Sequence, residues 1–142
     1  MKLVQHLLDA KGADVISIDE DTSVYDAIAL MAERSIGSLL VMQGEELKGI
    51  VTERDYARKV ILKGRSSETT SVGEVMSTNL ITAMPEQTVD QCMALMTERR
   101  IRHLPVVAGN RVIGVISIGD LVQAIISDQQ EAIEQLENYI SG

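Results

Sequence analysis

The chain has no phenylalanine or tryptophan and only three tyrosines, so rings cannot build the stacking platform that holds single-stranded nucleic acid. Basic residues are outnumbered, 13 Lys and Arg against 21 Asp and Glu, and the resulting net charge of −8 disfavours a polyanionic duplex as partner. The single cysteine, Cys92, has no second thiol to pair with and lies between apolar neighbours, so it reads as a small core residue. No apolar run reaches the roughly 18 residues of a membrane span, and the N-terminus lacks the charged, apolar and small-residue order of a signal peptide. A cytoplasmic protein without a membrane partner is expected. The two histidines, His6 and His103, are far apart and no Cys/His spacing suits a metal. Neither a metal site nor a catalytic constellation is therefore expected.

What is present is a repeat. Gly49-Ile50-Val51-Thr52-Glu53-Arg54-Asp55 returns in the same residue classes as Gly114-Val115-Ile116-Ser117-Ile118-Gly119-Asp120, displaced by 65 positions (114 − 49 = 65). With the same displacement and no gap, Val24/Val89, Ala29/Ala94, Leu30/Leu95, Met31/Met96, Ile36/Ile101, Leu39/Leu104, Val41/Val106 and Gly44/Gly109 are identical. A length of 142 residues with 45% apolar content is enough for one compact module. Two copies in that length predict two subdomains sharing a core rather than a many-unit solenoid.

Each copy reads in one order. A short apolar strand (Val15 to Ile18; Leu80 to Ala83) meets a capping signal, Ser23 with Asp26 or Thr88 with Gln91. A helix follows, with Ala27, Ile28, Leu30, Met31 and Ile36, or Cys92, Met93, Leu95, Met96 and Ile101, along one face. Apolar runs on either side of Gly44 and of Gly109 then predict a hairpin whose second strand leads into another helix. The unit is strand, helix, strand, strand, helix, an α/β (α+β) arrangement. Short turns, Val4 to Leu8 and Val72 to Met76, precede each copy. The predicted divisions are a first repeat over 1–63, an exposed polar connection over 64–71, a second repeat over 72–127 and an acidic helical extension over 128–142. Along the final helix, predicted to start near Leu121 and run into the extension, Ile126, Ile133 and Ile140 are seven apart, which suits packing on another chain or on the chain's own module.

The repeated string has two readings. Thr52 and Ser117 are good N-cap residues, and Asp55 and Asp120 three positions later complete a capping box. Equally, a strand running into a helix start offers N–H groups and a hydroxyl to phosphate, and a carboxylate one turn on can accept hydrogen bonds from ribose hydroxyls. Gly49 and Gly114 avoid a side chain where backbone or ligand comes close. Eight of the 13 basic residues fall in two clusters, Arg54, Arg58, Lys59, Lys63 and Arg65, then Arg99, Arg100 and Arg102, which fits a small phosphate-bearing ligand.

Element order and spacing in both copies, with this string ending each hairpin, resemble the CBS domain family from about Val4 to Ile126. The resemblance implies a tandem pair with a pseudo-twofold axis and two ligand clefts between small sheets. It implies an adenosine derivative there, AMP, ADP, ATP, NAD or S-adenosylmethionine, as regulatory ligand rather than catalytic cofactor. Carried onto this sequence, it implies that Asp55 and Asp120 hold ribose, that Thr52 and Ser117 reach phosphate, and that Gly49 and Gly114 leave room. The first strands, Val15, Ile16 and Ser17 with Leu80, Ile81 and Thr82, would frame adenine. Arg102 and His103 before Leu104-Pro105 would meet phosphate, with Gly37 and Ser38 opposite them in the first copy and Arg54 and Arg65 as further basic contacts. A homodimer that controls an unknown protein in trans is implied as well. The rival expectation is a ligand-independent interaction scaffold whose turns are only helix caps.

Overall fold

The computed structural model of the protein describes residues 2–12 and 14–141, so Met1 and Gly142, the outer ends of the predicted first repeat and of the extension, lie outside the described residues. Helix α1 (Val4–Lys11) leads into β1 (Ser17–Ile18), α2 (Val24–Arg34), the hairpin β2 (Ser38–Gln43) and β3 (Glu46–Thr52), and a short α3 (Glu53–Asp55) continued by a π-helix (Tyr56–Ile61). The second copy comprises α4 (Val72–Val75), α5 (Val89–Arg99), the hairpin β4 (His103–Ala108) and β5 (Arg111–Ser117), and the long α6 (Ile118–Ser141).

The predicted local signals form. Ser23 Oγ accepts from Asp26 N–H at 3.1 Å and Thr88 Oγ1 from Gln91 N–H at 3.1 Å, satisfying helix-start donors that would otherwise be orphaned. Gly44 and Gly109 take φ of 61° and 62° at the two hairpin turns, the left-handed conformation that favours glycine. Val24, Ala27 and Met31 of α2 pack with Leu39 and Val41 of β2 and Val51 of β3. Val89, Cys92, Met96, Leu104, Val106, Ile116 and Leu121 are likewise buried.

The first strands differ from expectation. The strand predicted over Val15 to Ile18 contracts to Ser17–Ile18, parallel to β2. That over Leu80 to Ala83 contracts to a single parallel bridge, Ala83 to Val106. Chemistry at one position accounts for the second case: Leu40 donates its N–H to Ile16 O at 3.3 Å in the first copy, whereas the matching residue is Pro105, which has no N–H to give. The connection over 64–71 is also less free than predicted. Thr70 is buried, and the carbonyls of Thr70 and Ser67 accept from Val24 and Tyr25 N–H at 2.9 Å each, capping α2.

Two compact units result, Val15–Ile81 and, discontinuous in sequence, Met1–Asp14 with Thr82–Gly142. They cut across the repeats because each lead-in segment packs on the hairpin of the other copy. Leu3 bridges Thr88 and Val4 N–H reaches Gln87 O at 2.9 Å, while Ser77 and Ile50 exchange backbone hydrogen bonds of 2.9 and 3.1 Å. No helix among the described residues is long and apolar enough to cross a membrane.

Candidate functional site

In the Val15–Ile81 unit, β3 delivers Thr52 to the start of α3 and the sequence closes a reciprocal cap. Asp55 N–H donates to Thr52 Oγ1 at 3.2 Å, and Asp55 Oδ2 accepts from Thr52 N–H at 2.9 Å and from its hydroxyl at 3.2 Å. Asp55 is buried, and its Oδ1 lies 3.1 Å from Lys59 Nζ, which also donates to Val75 O at 2.8 Å. The other unit repeats the constellation with a different lysine. Asp120 N–H donates to Ser117 Oγ at 3.1 Å and Asp120 Oδ2 accepts from Ser117 N–H at 2.8 Å. Lys11, arriving from α1, places Nζ 2.6 Å from Asp120 Oδ2 and 2.9 Å from Val115 O. Burial pushes the Asp120 carboxyl up, but the Lys11 hydrogen bond, the Ser117 N–H and the Lys11 charge together hold it below the usual carboxylate value.

The helix starts are therefore less open than a bare anion site would be. Glu53 N–H donates to Gly37 O at 3.2 Å and Ile118 N–H to Arg102 O at 2.9 Å. With Asp55 and Asp120 N–H already on the cap oxygens, two of the first three donors in each turn are occupied. The same bonds bring the strand-start residues to the turn. Gly37 lies at Glu53 and Ser38 pairs in register with Thr52, while Arg102 lies at Ile118 and His103 pairs with Ser117. Backbone pairing thus brings Gly37 and Ser38 beside the Thr52-to-Asp55 turn, which includes Arg54, in one unit, and Arg102 and His103 beside the Ser117-to-Asp120 turn in the other.

Other candidates fall elsewhere. A Cβ on Gly49 would meet Met76 Sδ at 2.7 Å and Ser77 O at 2.9 Å, and one on Gly114 would meet Leu8 Cδ2 at 2.6 Å. Of the two reasons for glycine there, close approach of the chain or of a ligand, the structure supplies the first. Arg65 is engaged by Glu74 at 2.7 Å. Pro105 is buried in β4 and its carbonyl accepts from Ala83 N–H at 2.9 Å. Val15, Ile16 and Ser17 edge the first sheet, with Ser17 in register with Leu40. Leu80 and Ile81 close the Val15–Ile81 unit and Thr82 opens the remainder of the other.

Sequence reasoning counted Lys59 among the cations facing a phosphate-bearing ligand, whereas the structure engages it with Asp55 and Val75 O, and it passed over Lys11. Lys59 is four residues after Asp55, a helical spacing that signals the pair. Lys11 is 109 residues from Asp120, and nothing in the sequence connects them. It also passed over a cavity of about 350 Å³ beside Asp120, between α1 and α6, lined by Lys2, His6, Lys11, Gln123 and Ser127 over an apolar floor that includes Ala124. Carboxylate, hydroxyl, amide and ammonium groups together suit a polyhydroxylated, anionic ligand.

Comparison with known proteins adds the following. The family model described as CBS domain matches residues 10–62 and 72–127. A mitochondrial CBS domain-containing protein of Arabidopsis thaliana, CBSX3, is 46% identical over 127 residues, covering 86% of this chain and 62% of the relative, so the chain spans less than two thirds of that relative's length. A solved structure of a protein with CBS domains from Burkholderia ambifaria MC40-6 is 53% identical with a TM-score of 0.87, over 90% of this chain and 96% of that one. The CBS domain pair of protein MJ0100, solved with 5′-methylthioadenosine and S-adenosyl-L-methionine, is 25% identical with a TM-score of 0.80, over 90% of this chain and 98% of that one.

Proposed function

The chain belongs to the CBS domain family, and from that premise we propose that it is a regulatory, non-catalytic module that binds an adenosine derivative, AMP, ADP, ATP, NAD or S-adenosylmethionine, and controls a partner protein in trans. The observation that carries the reading is the MJ0100 pair, whose fold this chain shares and which was solved with two adenosine derivatives. In this chain Asp120 is the favoured ribose acceptor because it fronts the cavity within its own unit, with Ser117, Arg102 and His103 toward phosphate. Asp55, Thr52 and Arg54 form the related second turn, with Gly37 and Ser38 beside them. A ligand moves such a module only through unequal affinity for its conformations.

Thermal shift and calorimetry with each of the five compounds test this. At about 100 times Kd a ligand adds roughly 2.7 kcal/mol to folding stability, so at least one compound raises Tm measurably, and silence from all five refutes the reading. Selective loss of binding in Asp120→Ala or in Asp55→Ala identifies the working turn. A second reading, a ligand-independent scaffold, is favoured by both carboxylates already serving as helix caps. It predicts that either Asp→Ala substitution lowers stability by about 1 kcal/mol while none of the compounds binds the wild type. Self-association as a homodimer is proposed under both readings, and light scattering measures it.

A further inference from the structure

The Asp120 carboxylate is full on one oxygen. Asp120 Oδ2 accepts from Ser117 N–H at 2.8 Å and from Lys11 Nζ at 2.6 Å, which takes both lone pairs of that atom. Two vicinal ribose hydroxyls need one open lone pair on each carboxylate oxygen, so one of these bonds has to go. The Ser117 bond closes the cap at the start of α6. The Lys11 bond is the removable one, because it comes from a side chain that is 39% exposed at the last residue of α1. The sheet edge beside it is built for the same movement. In the Val15–Ile81 unit, Ile50 O accepts from Ser77 N–H at 2.9 Å and Ile50 N–H donates to Ser77 O at 3.1 Å, a fixed backbone pairing. Val115 is the matching residue of the second copy (115 − 50 = 65), and its carbonyl accepts from Lys11 Nζ at 2.9 Å instead. A flexible side chain with a point charge thus stands where the first copy has main chain, and it can leave without unpairing a strand.

Lys11 also lines the cavity beside Asp120. The other lysine of that wall, Lys2, pairs with Asp128 at 3.5 Å, so Lys11 is the lining cation that touches the carboxylate proposed for ribose. We propose that Lys11 is a latch that exchanges partners: it covers Asp120 until an adenosine derivative enters, then yields Oδ2 to a ribose hydroxyl and turns its ammonium to the ligand's phosphate. The inference rests on the adenosine reading above and adds the residue that makes the site distinguish phosphorylated from unphosphorylated ligands. Opening the latch costs every ligand the same ion pair and the same bond to Val115 O. Only a phosphate offers the released ammonium a charge-assisted bond in return. A nucleoside without phosphate leaves it to water.

Isothermal titration of adenosine, AMP and ATP into the wild type, Lys11→Met and Lys11→Arg tests the exchange. Methionine keeps the reach of the side chain and removes its charge. Lys11→Met binds adenosine about threefold more tightly, the equivalent of one partly exposed ion pair no longer broken. It binds AMP and ATP about tenfold more weakly, because that threefold gain stands against the loss of a phosphate contact of about thirtyfold. The preference for phosphorylated ligands therefore falls by about thirtyfold, a split in sign that a loss of stability alone does not produce. Lys11→Arg keeps a cation and retains most of the preference. Adenosine and nucleotide affinities that move together in Lys11→Met, or an adenosine affinity that does not rise, overturn the exchange and leave adenosine binding intact. A wild type that binds S-adenosylmethionine but neither AMP nor ATP overturns it in the same way. Silence from adenosine and from all five derivatives overturns the adenosine reading and the latch together.

Discussion

Replacing Asp120 by alanine removes two interactions of different kinds, and their sizes are separable. The first is the reciprocal cap with Ser117, whose loss costs about 1 kcal/mol, within a range of roughly 0.5–2. The second is the Lys11 pair at 2.6 Å, whose Coulomb energy in a water-like dielectric is about 1.6 kcal/mol. The two side chains are 39% and 26% exposed, so ordering and screening reduce the net value to about 0.5–1 kcal/mol. The sum is about 2 kcal/mol, or a fall in Tm of roughly 4–8 °C for a chain near this size. Lys11→Met leaves the cap in place, removes the ion pair together with the exposed Nζ bond to Val115 O, and lowers Tm by roughly 1–4 °C. The Asp120 carboxyl is held below its usual value, so its contribution is complete above the unfolded-state value near pH 4. It disappears as pH falls through the lower folded value. Thermal unfolding followed by circular dichroism at pH 7 and at pH 3 measures all of this. Equal losses from Lys11→Met and Asp120→Ala at pH 7 would refute the assignment of a cap contribution to the carboxylate. An Asp120→Ala deficit that grows on acidification would refute the electrostatic part.

Three further outcomes are expected. Gly49→Ala forces a Cβ against the backbone oxygen of Ser77 and costs about 1–3 kcal/mol in urea denaturation. Gly114→Ala meets only the movable end of Leu8 and costs less, so the reverse order would contradict the packing described. Pro105→Leu returns to β4 the donor that Leu40 supplies in β2, and hydrogen exchange then finds a protected amide at position 105 rather than one exchanging at loop rates. Cys92 is fully buried and burial pushes its thiol pKa up, so a thiol reagent at pH 8 labels it only after denaturant is added. Rapid labelling of the folded chain would show that the α5 core is open.

Much of this molecule is local, and local features are readable in a chain. A two-residue turn at Gly44 or Gly109 depends on neighbours in sequence, as do the caps at Ser23, Thr52, Thr88 and Ser117, and their chemistry settles them before any tertiary contact exists. The duplication made the unit order readable because the same pattern had to satisfy the same physics twice. The first strands were less readable, since a parallel strand has no intrinsic partner and one missing N–H at Pro105 shortens its pairing to a bridge.

Tertiary structure decided the rest because it depends on which distant segment arrives. The sequence alone supplied Asp120 with a cap partner three residues away, but only folding brought Lys11 to the same carboxylate and opened a cavity between α1 and α6. Glycine at 49 and 114 signalled a close approach of chain or ligand, and only the arrival of Met76, Ser77 and Leu8 showed what fills the space. The tail isoleucines were visible as a seven-residue spacing, yet their exposure, and that of Ile61 and Leu62, is a property of the packed chain. A residue's burial is the sum of everything folded against it, and no single position in the sequence contains that sum.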